Sequence, residues 1–343
     1  MQNVAGRLQS FHRQISMKWW RKVAMSGGAA LGAAAVYNAL VRRHVSTLDN
    51  LIGGEEGWFK WRGHRVAYTV RGQGPPILLV HSLHAAAWSY EWRANVDALS
   101  RYHTIYTVDL LGFGRSARPA TRYTAQLFLA LLSDFAARVI GVPCTLAGSG
   151  LTAAYATVLG ARDPGRFPSL VLIEPVGLVR LNDDSSDAAD SVSRVAIGTP
   201  VFGTAVFNTL VSDRSIRQYL EEVYADNKLV TDELVHVYYE AAHQPGAKHA
   251  PAALMANQLN VDVRSSLRRL AQPALLVWGE QATVTPVEEL RAFKVLKPDF
   301  EVAVLHPAGD LPHSERAEEF NQLVLDFLHR AALNVTAERP IPK

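Results

Sequence analysis

The sequence lacks the residues from which several common kinds of site are built. Its 343 residues include one cysteine, Cys144, which excludes an internal disulfide and any multi-cysteine metal site. It has no zinc-ligand spacing and no phosphate-binding loop of the Gly-x-x-x-x-Gly-Lys type. The formal net charge is only +3, so no basic field indicates a nucleic-acid partner. We therefore expect no metal, no cofactor and no nucleic acid, and we place Cys144 at a buried strand position.

Apolar residues make up 48% of the chain, enough for a large core, and their arrangement divides the sequence into segments. The predicted segments are a basic N-terminal segment (1–22), a transmembrane helix (23–41), a linker (42–57), an α/β core in two parts (58–176 and 266–335) and a helical cap (177–265).

Residues 23–41 carry no charge over a length that can cross a bilayer. Basic residues are more numerous before this stretch than after it, which predicts a cytoplasmic N-terminus and a core on the opposite side of the membrane. Two alternatives stay open. Small residues near Ala33 and Ala35 suit a cleaved signal peptide, and the modest hydrophobicity suits a helix lying on a membrane or on a partner.

Gly28 and Gly32 are four residues apart within this stretch. Small residues at that spacing let two helices approach closely, which predicts contact with other membrane-protein subunits. Chance is the alternative, since the stretch is rich in glycine and alanine.

From residue 58 onward, strand patterns alternate with helical patterns. Strands are predicted over His64–Gly72, Pro76–Ser82, His103–Leu110, Thr145–Gly150, Ser169–Pro175, Ala274–Glu280 and Glu301–Gly309. This alternation predicts a mostly parallel sheet with helices on both faces. The interval from Pro175 to Pro273 is too long for a crossover, and its helical patterns near 200–212, 216–225 and 231–242 predict an inserted cap.

Five stretches, in order between Trp58 and Ala331, resemble landmarks of the α/β-hydrolase family with a cap. They are LLVHSLHAAAWSYEW, VDLLGFGRSARP, LAGSGLTAAYA, LLVWGEQATVTP and AGDLPHSERAEEFNQLVLDFL. In the family they correspond to the oxyanion loop, the loop after the fourth strand, the bend that carries the nucleophile, the strand that ends near the acid, and the histidine segment. The resemblance implies an α/β-hydrolase fold and acyl transfer by a serine, a histidine and a carboxylate.

The bend of LAGSGLTAAYA can be aligned in two registers. With Ser149 at the reactive position, bulky Leu151 falls where strand and helix pass closely. With Gly150 there, the flanking residues are Gly148 and Thr152, which are smaller. The second register fits better, and glycine also avoids the strain of positive φ at such a bend.

The same resemblance places Ala282 where the acid is expected and Asp310 where the histidine is expected. The three positions therefore read Gly150, Ala282 and Asp310, which predicts loss of the usual triad. A rearranged set of Ser149, His313 and Glu174 is the alternative.

The oxyanion hole depends on backbone amides, and these persist with any side chain. We assign its donors to Leu83 and Leu151, and the surrounding pocket to His81, Ser82 and His84 as well. Two hypotheses follow. The first is a membrane-anchored pseudoenzyme that binds an apolar ligand or serves as an accessory subunit. The second is an active serine-type hydrolase of esters or lipids that uses the rearranged set.

Overall fold

The computed structural model describes residues 30–178, 197 and 199–337. The basic segment 1–22, the first part of the predicted transmembrane stretch, Gly28 and the start of the predicted cap lie outside the described residues.

The described strands form one eight-stranded sheet in the order β1-β2-β4-β3-β5-β6-β7-β8. They are β1 (Glu55–Trp61), β2 (His64–Arg71), β3 (Pro76–Val80), β4 (Thr104–Val108), β5 (Thr145–Ser149), β6 (Leu170–Ile173), β7 (Ala274–Gly279) and β8 (Glu301–Leu305). Strands from β4 through β3 to β8 pair in parallel, and β2 pairs antiparallel with β1 and β4. The predicted mostly parallel sheet is confirmed. Its central strands are buried along nearly their whole length because helices cover both faces.

The first strand corrects the predicted boundary at residue 58. The last residues of the predicted linker already belong to β1, which pairs with β2 through a two-residue turn. Arg62 and Gly63 in that turn have φ of 47° and 82°, as a type I′ hairpin requires. Phe59 and Trp61 are buried while Lys60 is exposed, an alternation that the sequence contains and that the boundary missed.

The helices lie between these strands and in the inserted region. They are α1 (30–43), α2 (Val96–Leu99), α3 (Ala125–Phe135), α4 (Leu151–Arg162), α5 (Phe202–Leu210), α6 (Asp213–Val223), α7 (Asp232–Ala242), α8 (His249–Met255), α9 (Arg264–Arg269), α10 (Leu290–Leu296), α11 (Pro312–Glu315) and α12 (Ala317–Ala337). A π-helical segment, Ala136–Ile140, continues α3. Cys144 is buried, as predicted, but it lies directly before β5 and not within a strand.

Helices α5 to α8 lie in the predicted cap and enclose a small core of their own. Phe207, Leu220 and Tyr238 are among its buried residues, and Ala86 and Leu311 of the α/β core join it. Ser212 and Thr231 are the N-cap residues directly before α6 and α7, and each side chain accepts a hydrogen bond from a backbone amide of the first turn. The cap is therefore seated on loops of the α/β core.

Helix α1 contains the end of the predicted transmembrane stretch. Within the part of the chain that is described, no helix combines the length and the hydrophobicity needed to cross a bilayer. The Asn38 amide joins α1 to the cap, because its Nδ2 donates to the Val201 carbonyl (2.9 Å) and its Oδ1 accepts from Asn208 (3.1 Å).

Candidate functional site

Gly150 lies at the bend between β5 and α4, with φ of 58° and ψ of −117°. Ser149 ends the strand and Leu151 begins the helix. A Cβ atom on Gly148 would lie 2.7 Å from the Thr152 backbone, so strand and helix touch there and only glycine fits. A Cβ atom on Gly150 would have no heavy atom of the described residues within 4 Å, apart from its own residue and its two neighbours. The residue of the bend that faces this open space therefore has no side chain.

This open space is a cavity of about 270 Å³ between the α/β core and the cap. On the core side it is lined by residues near the ends of β3, β5, β6 and β7, and on the cap side by residues of α6 and α8. The residues are Ser82, Leu83, His84, Ser149, Gly150, Leu151, Glu174, Val176, Gly177, Tyr219, Val223, Leu254, Asn260, Val261, Val284, Thr285, Asp310 and Leu311. An apolar cavity with a few polar groups at the carboxyl ends of parallel strands is a typical place for a small-molecule ligand.

Two backbone amides in this cavity are free to bind an oxygen atom. The N–H groups of Leu83 and Leu151 have no acceptor among the described residues. Leu151 is the first residue of α4, where the helix dipole adds partial positive charge. The neighbouring Ser82 N–H donates instead to Glu91 (2.9 Å). A carbonyl or carboxylate oxygen could therefore be held at the bend.

Glu174 is an acidic residue of the cavity wall, and its backbone is strained. It follows β6 with φ of 45°, which is unusual for a residue with a Cβ atom. Its Oε1 accepts from the Gly279 amide (2.9 Å), and its other oxygen has no partner within the described residues. Burial first, and then the negative charge of Asp310, raise the pKa of Glu174 well above its usual value. A strained acid with a raised pKa in a cavity is typical of a functional position.

Asp310 also borders the cavity, but its carboxylate is occupied by the loop after β7. It accepts from the backbone amides of Thr283 (2.9 Å), Val284 (2.9 Å) and Thr285 (3.1 Å), and from the Thr283 hydroxyl (3.0 Å). Ala282 lies just before this loop, is nearly buried and does not line the cavity. The structure thus gives Asp310 a role in holding the loop.

Of the rearranged set, Ser149 and Glu174 line the cavity and His313 does not. Ser149 lines the cavity, whereas the His313 ring is fully buried in α11, packs on Trp92 and lies outside the cavity lining. The charged neighbour of His313 is Glu91, with Nε2 and Oε1 3.2 Å apart. The physical reason is that the first turn of α11 points this ring into the core beneath the oxyanion loop.

Glu91 is a residue that the sequence did not single out. It is fully buried, accepts hydrogen bonds from both the amide and the hydroxyl of Ser82, and lies next to His313. These contacts lower its pKa to about 2, against the opposing effect of burial. Glu91 therefore ties the oxyanion loop to α11. Its position between aromatic residues in WSYEW gave no signal that a buried contact with a histidine would form.

The two histidines of the oxyanion loop have different positions. The His81 ring is buried outside the cavity lining, and its two nitrogens bind the Ser82 carbonyl (2.7 Å) and the Leu110 amide (3.1 Å). This corrects its assignment to the pocket. His84 does line the cavity, where its ring lies against Tyr219 and Tyr238 of the cap.

His84 is an uncharged hydrogen-bonding group at neutral pH. Burial lowers its pKa to about 4. Its Nδ1 accepts from the Ala86 amide (3.3 Å), so the ring proton is on Nε2. Tyr219, which the sequence also did not indicate, brings a phenol from the cap to the same cavity. Among the described residues, no cluster of three or more histidine, cysteine, aspartate or glutamate side chains could hold a metal ion.

Comparison with known proteins agrees with this architecture. Residues 77–323 match the model of the alpha/beta hydrolase family. The 2-hydroxy-6-oxo-2,4-heptadienoate hydrolase of Pseudomonas putida is 27% identical over 270 residues, which cover 75% of this chain and 90% of the relative.

Two solved structures share the fold at lower identity. A serine hydrolase involved in carbazole degradation superposes with a TM-score of 0.68 at 22% identity, covering 81% of this chain and 99% of the other. A bacterial membrane phospholipase A superposes with a TM-score of 0.67 at 22% identity, covering 93% of this chain and 99% of the other. With the family model matching well over half of its length, the chain belongs to the α/β-hydrolase family.

Proposed function

We propose that this chain binds a small molecule with a carbonyl or carboxylate group at the bend of Gly150 and does not perform acyl transfer through a serine there. The observation that carries this proposal is the combination of a glycine at the bend with unpaired amides at Leu83 and Leu151. The amides and the α4 terminus favour the oxygen of the ligand, and the apolar lining favours its hydrocarbon part. Without a nucleophile, the ligand is bound and released unchanged.

Attachment to a membrane is part of this proposal. The uncharged stretch of residues 23–41 and its basic flank support it, and so does the likeness to a membrane phospholipase A over 93% of the chain. We place the N-terminus in the cytoplasm and the α/β core across the membrane. Within residues 30–178, 197 and 199–337, no heavy atom beyond its two neighbours and the backbone of its own helix lies within 4 Å of a Cβ placed on Gly32, which supports its contact with another membrane-protein subunit.

The second candidate is hydrolysis, and the relatives favour it over binding alone. The relative from Pseudomonas putida is named as a hydrolase, and both solved neighbours are named as hydrolytic enzymes. In this chain, Ser149 and Glu174 of the rearranged set line the cavity, whereas His313 lies outside its lining. Glu174 would hold or accept the proton, and Ser149 would be the hydroxyl.

Labelling and turnover distinguish the two candidates. The purified full chain is treated with a fluorophosphonate probe, which reacts with activated serines, and is assayed with p-nitrophenyl esters of short acids. Binding without hydrolysis predicts no labelling and no turnover above that of denatured protein. Labelling that is lost in Ser149→Ala, or turnover that is lost in Glu174→Gln, would establish hydrolysis instead. Binding itself is checked by titrating butyrate and hexanoate and following the tyrosine and tryptophan fluorescence.

A further inference from the structure

Helix α1 exposes apolar side chains on most of its circumference. Leu31, Val36 and Leu40 are 50%, 61% and 49% exposed, and residues 30–41 include no charged side chain. The inward side of the helix makes its hydrogen bonds to the cap through Asn38. A helix that is apolar nearly all round belongs in a protein core or in lipid, and the described part of this chain provides no core around α1.

Helix α5 of the cap extends this apolar surface. Phe202, Val206 and Leu210 recur every four residues along one side, and all three are exposed. Phe207 points the other way, into the core of the cap. Asn38 joins α1 to Val201 and Asn208, at the two ends of α5. These contacts are on another side of α5 than its exposed apolar residues, so the cap presents apolar surface beyond its contact with α1.

Basic side chains line the groove beside these helices, and the acidic Asp213 lies within electrostatic range of His243 in that lining. A groove of about 710 Å³ lies between α1 and the cap, and Arg42 and Lys248 are in its lining. No aspartate or glutamate is among the described residues that line it. Arg42 is exposed, whereas Lys248 is buried and donates to the Thr199 carbonyl (2.6 Å). Arginine at the end of an apolar helix is well placed to bind a lipid phosphate.

We propose that the surface formed by α1 and the exposed side of α5 is embedded in the interface of a bilayer that contains anionic phospholipid. In this arrangement Phe202, Val206 and Leu210 lie among the upper acyl chains, and Arg42 lies at the level of the phosphates. The sequence supports lipid as the occupant, because α1 continues the uncharged stretch that begins at residue 23 and follows a basic segment. The inference rests on the membrane attachment proposed above and is independent of the ligand at Gly150.

A pair of matched variants tests this proposal in the full chain. Val206→Cys and Val295→Cys each carry a bimane label, and both positions are exposed in the structure. Val295 lies on α10 of the α/β core and serves as the control. Cys144 is buried with its pKa raised to about 12, so it competes poorly for the reagent. The labelled proteins are reconstituted in vesicles of phosphatidylcholine and phosphatidylglycerol with or without a doxyl-labelled phospholipid.

The proposal predicts that doxyl lipid removes most of the bimane fluorescence at position 206 and leaves that at position 295 unchanged. It also predicts weaker quenching when phosphatidylglycerol is omitted or when Arg42 is replaced by glutamine.

If the protein sediments with vesicles but position 206 is not quenched, the proposed docking of α5 is wrong and the membrane attachment stands. If the protein does not sediment with vesicles, both are wrong. A blue-shifted label at 206 without lipid would instead indicate that a second copy covers this surface.

Discussion

Two glycines at the bend lack a side chain for different physical reasons. Gly148 lies where β5 and α4 touch, so any Cβ atom there would overlap the Thr152 backbone. Gly150 has room for a side chain but has positive φ, which penalises any residue with a Cβ atom. Steric exclusion thus acts at the first position, and conformational strain at the second.

Serine substitutions at these two positions should therefore differ in cost. Gly150→Ser is expected to lower the free energy of unfolding by about 1–3 kcal/mol, the usual strain of an unfavourable backbone conformation. Gly148→Ser should cost more, because strand and helix must move apart. Urea unfolding followed by circular dichroism measures both. Equal losses, or a larger loss at Gly150, would contradict the assigned geometry of the bend.

Also at the residue scale, the carboxyl group of Glu174 makes the stability of the folded chain depend on pH. Its pKa is raised in the folded chain, so above the unfolded value of about 4.5 folding requires uptake of a proton, and stability falls as pH rises. Glu174→Gln keeps the oxygen that accepts from Gly279 and removes the titration. As the pH rises from 5 to 8, we expect the variant to become more stable than the natural chain. The difference should grow by roughly 1.4 kcal/mol for each pH unit until the pH reaches the pKa of Glu174 in the folded chain.

Thermal and urea unfolding of both proteins at several pH values measure this difference. Glu221→Gln is a suitable control, since Glu221 is an exposed residue of α6 that does not line the cavity. A constant difference between the natural chain and Glu174→Gln across this range would show that Glu174 is ionised in the folded state.

At the scale of elements, one carboxylate organises the loop between β7 and the next helix. Asp310 receives three backbone amides and one hydroxyl from residues 283–285. Asp310→Ala leaves these buried donors unpaired, at a cost of about 1–3 kcal/mol or more. Asp310→Asn, which keeps one acceptor oxygen, should lose less. Hydrogen exchange should show the amides of 283–285 losing protection in the alanine variant before those of β7 do.

The elements themselves were largely predictable from the sequence. Buried parallel strands are continuous apolar runs, so β3, β5 and β7 were found within two residues of their ends. The first strand was missed because half of its residues face solvent and it begins with two glutamates. Alternation at a sheet edge is a weaker signal than an apolar run, and the turn at Arg62-Gly63 was the better indication.

At the scale of the whole molecule, contacts between segments far apart in the chain could not be predicted from the sequence. Residues next to a recognisable strand end, such as Gly150 and Glu174, could be placed from their local pattern. The pairing of Glu91 with His313 joins segments far apart in the chain, and only the folded structure reveals it. The same applies to Tyr219, which the cap carries to the cavity. No local pattern encodes such contacts, because they depend on how α11 and the cap pack on the core.

The whole molecule also allows a direct test of whether chemistry was lost at three positions of an otherwise competent scaffold. The triple variant Gly150→Ser, Ala282→Asp, Asp310→His supplies a hydroxyl, an acid and an imidazole where the family resemblance expects them. Open space at Gly150 accommodates the serine, and the amides of Leu83 and Leu151 are already in place. We expect the triple variant to react with a fluorophosphonate probe and Gly150→Ser alone to react far more slowly, because an isolated serine lacks a base.

The histidine in this variant must also replace a carboxylate that holds residues 283–285, and one ring cannot accept four hydrogen bonds. The folded fraction is therefore measured in the same samples, and labelling is expressed per folded molecule. Equal labelling of Gly150→Ser and the triple variant would mean that a base already serves the bend, which would favour hydrolysis in the natural chain. A folded triple variant that stays unlabelled would show that the scaffold no longer holds these positions in a reactive arrangement.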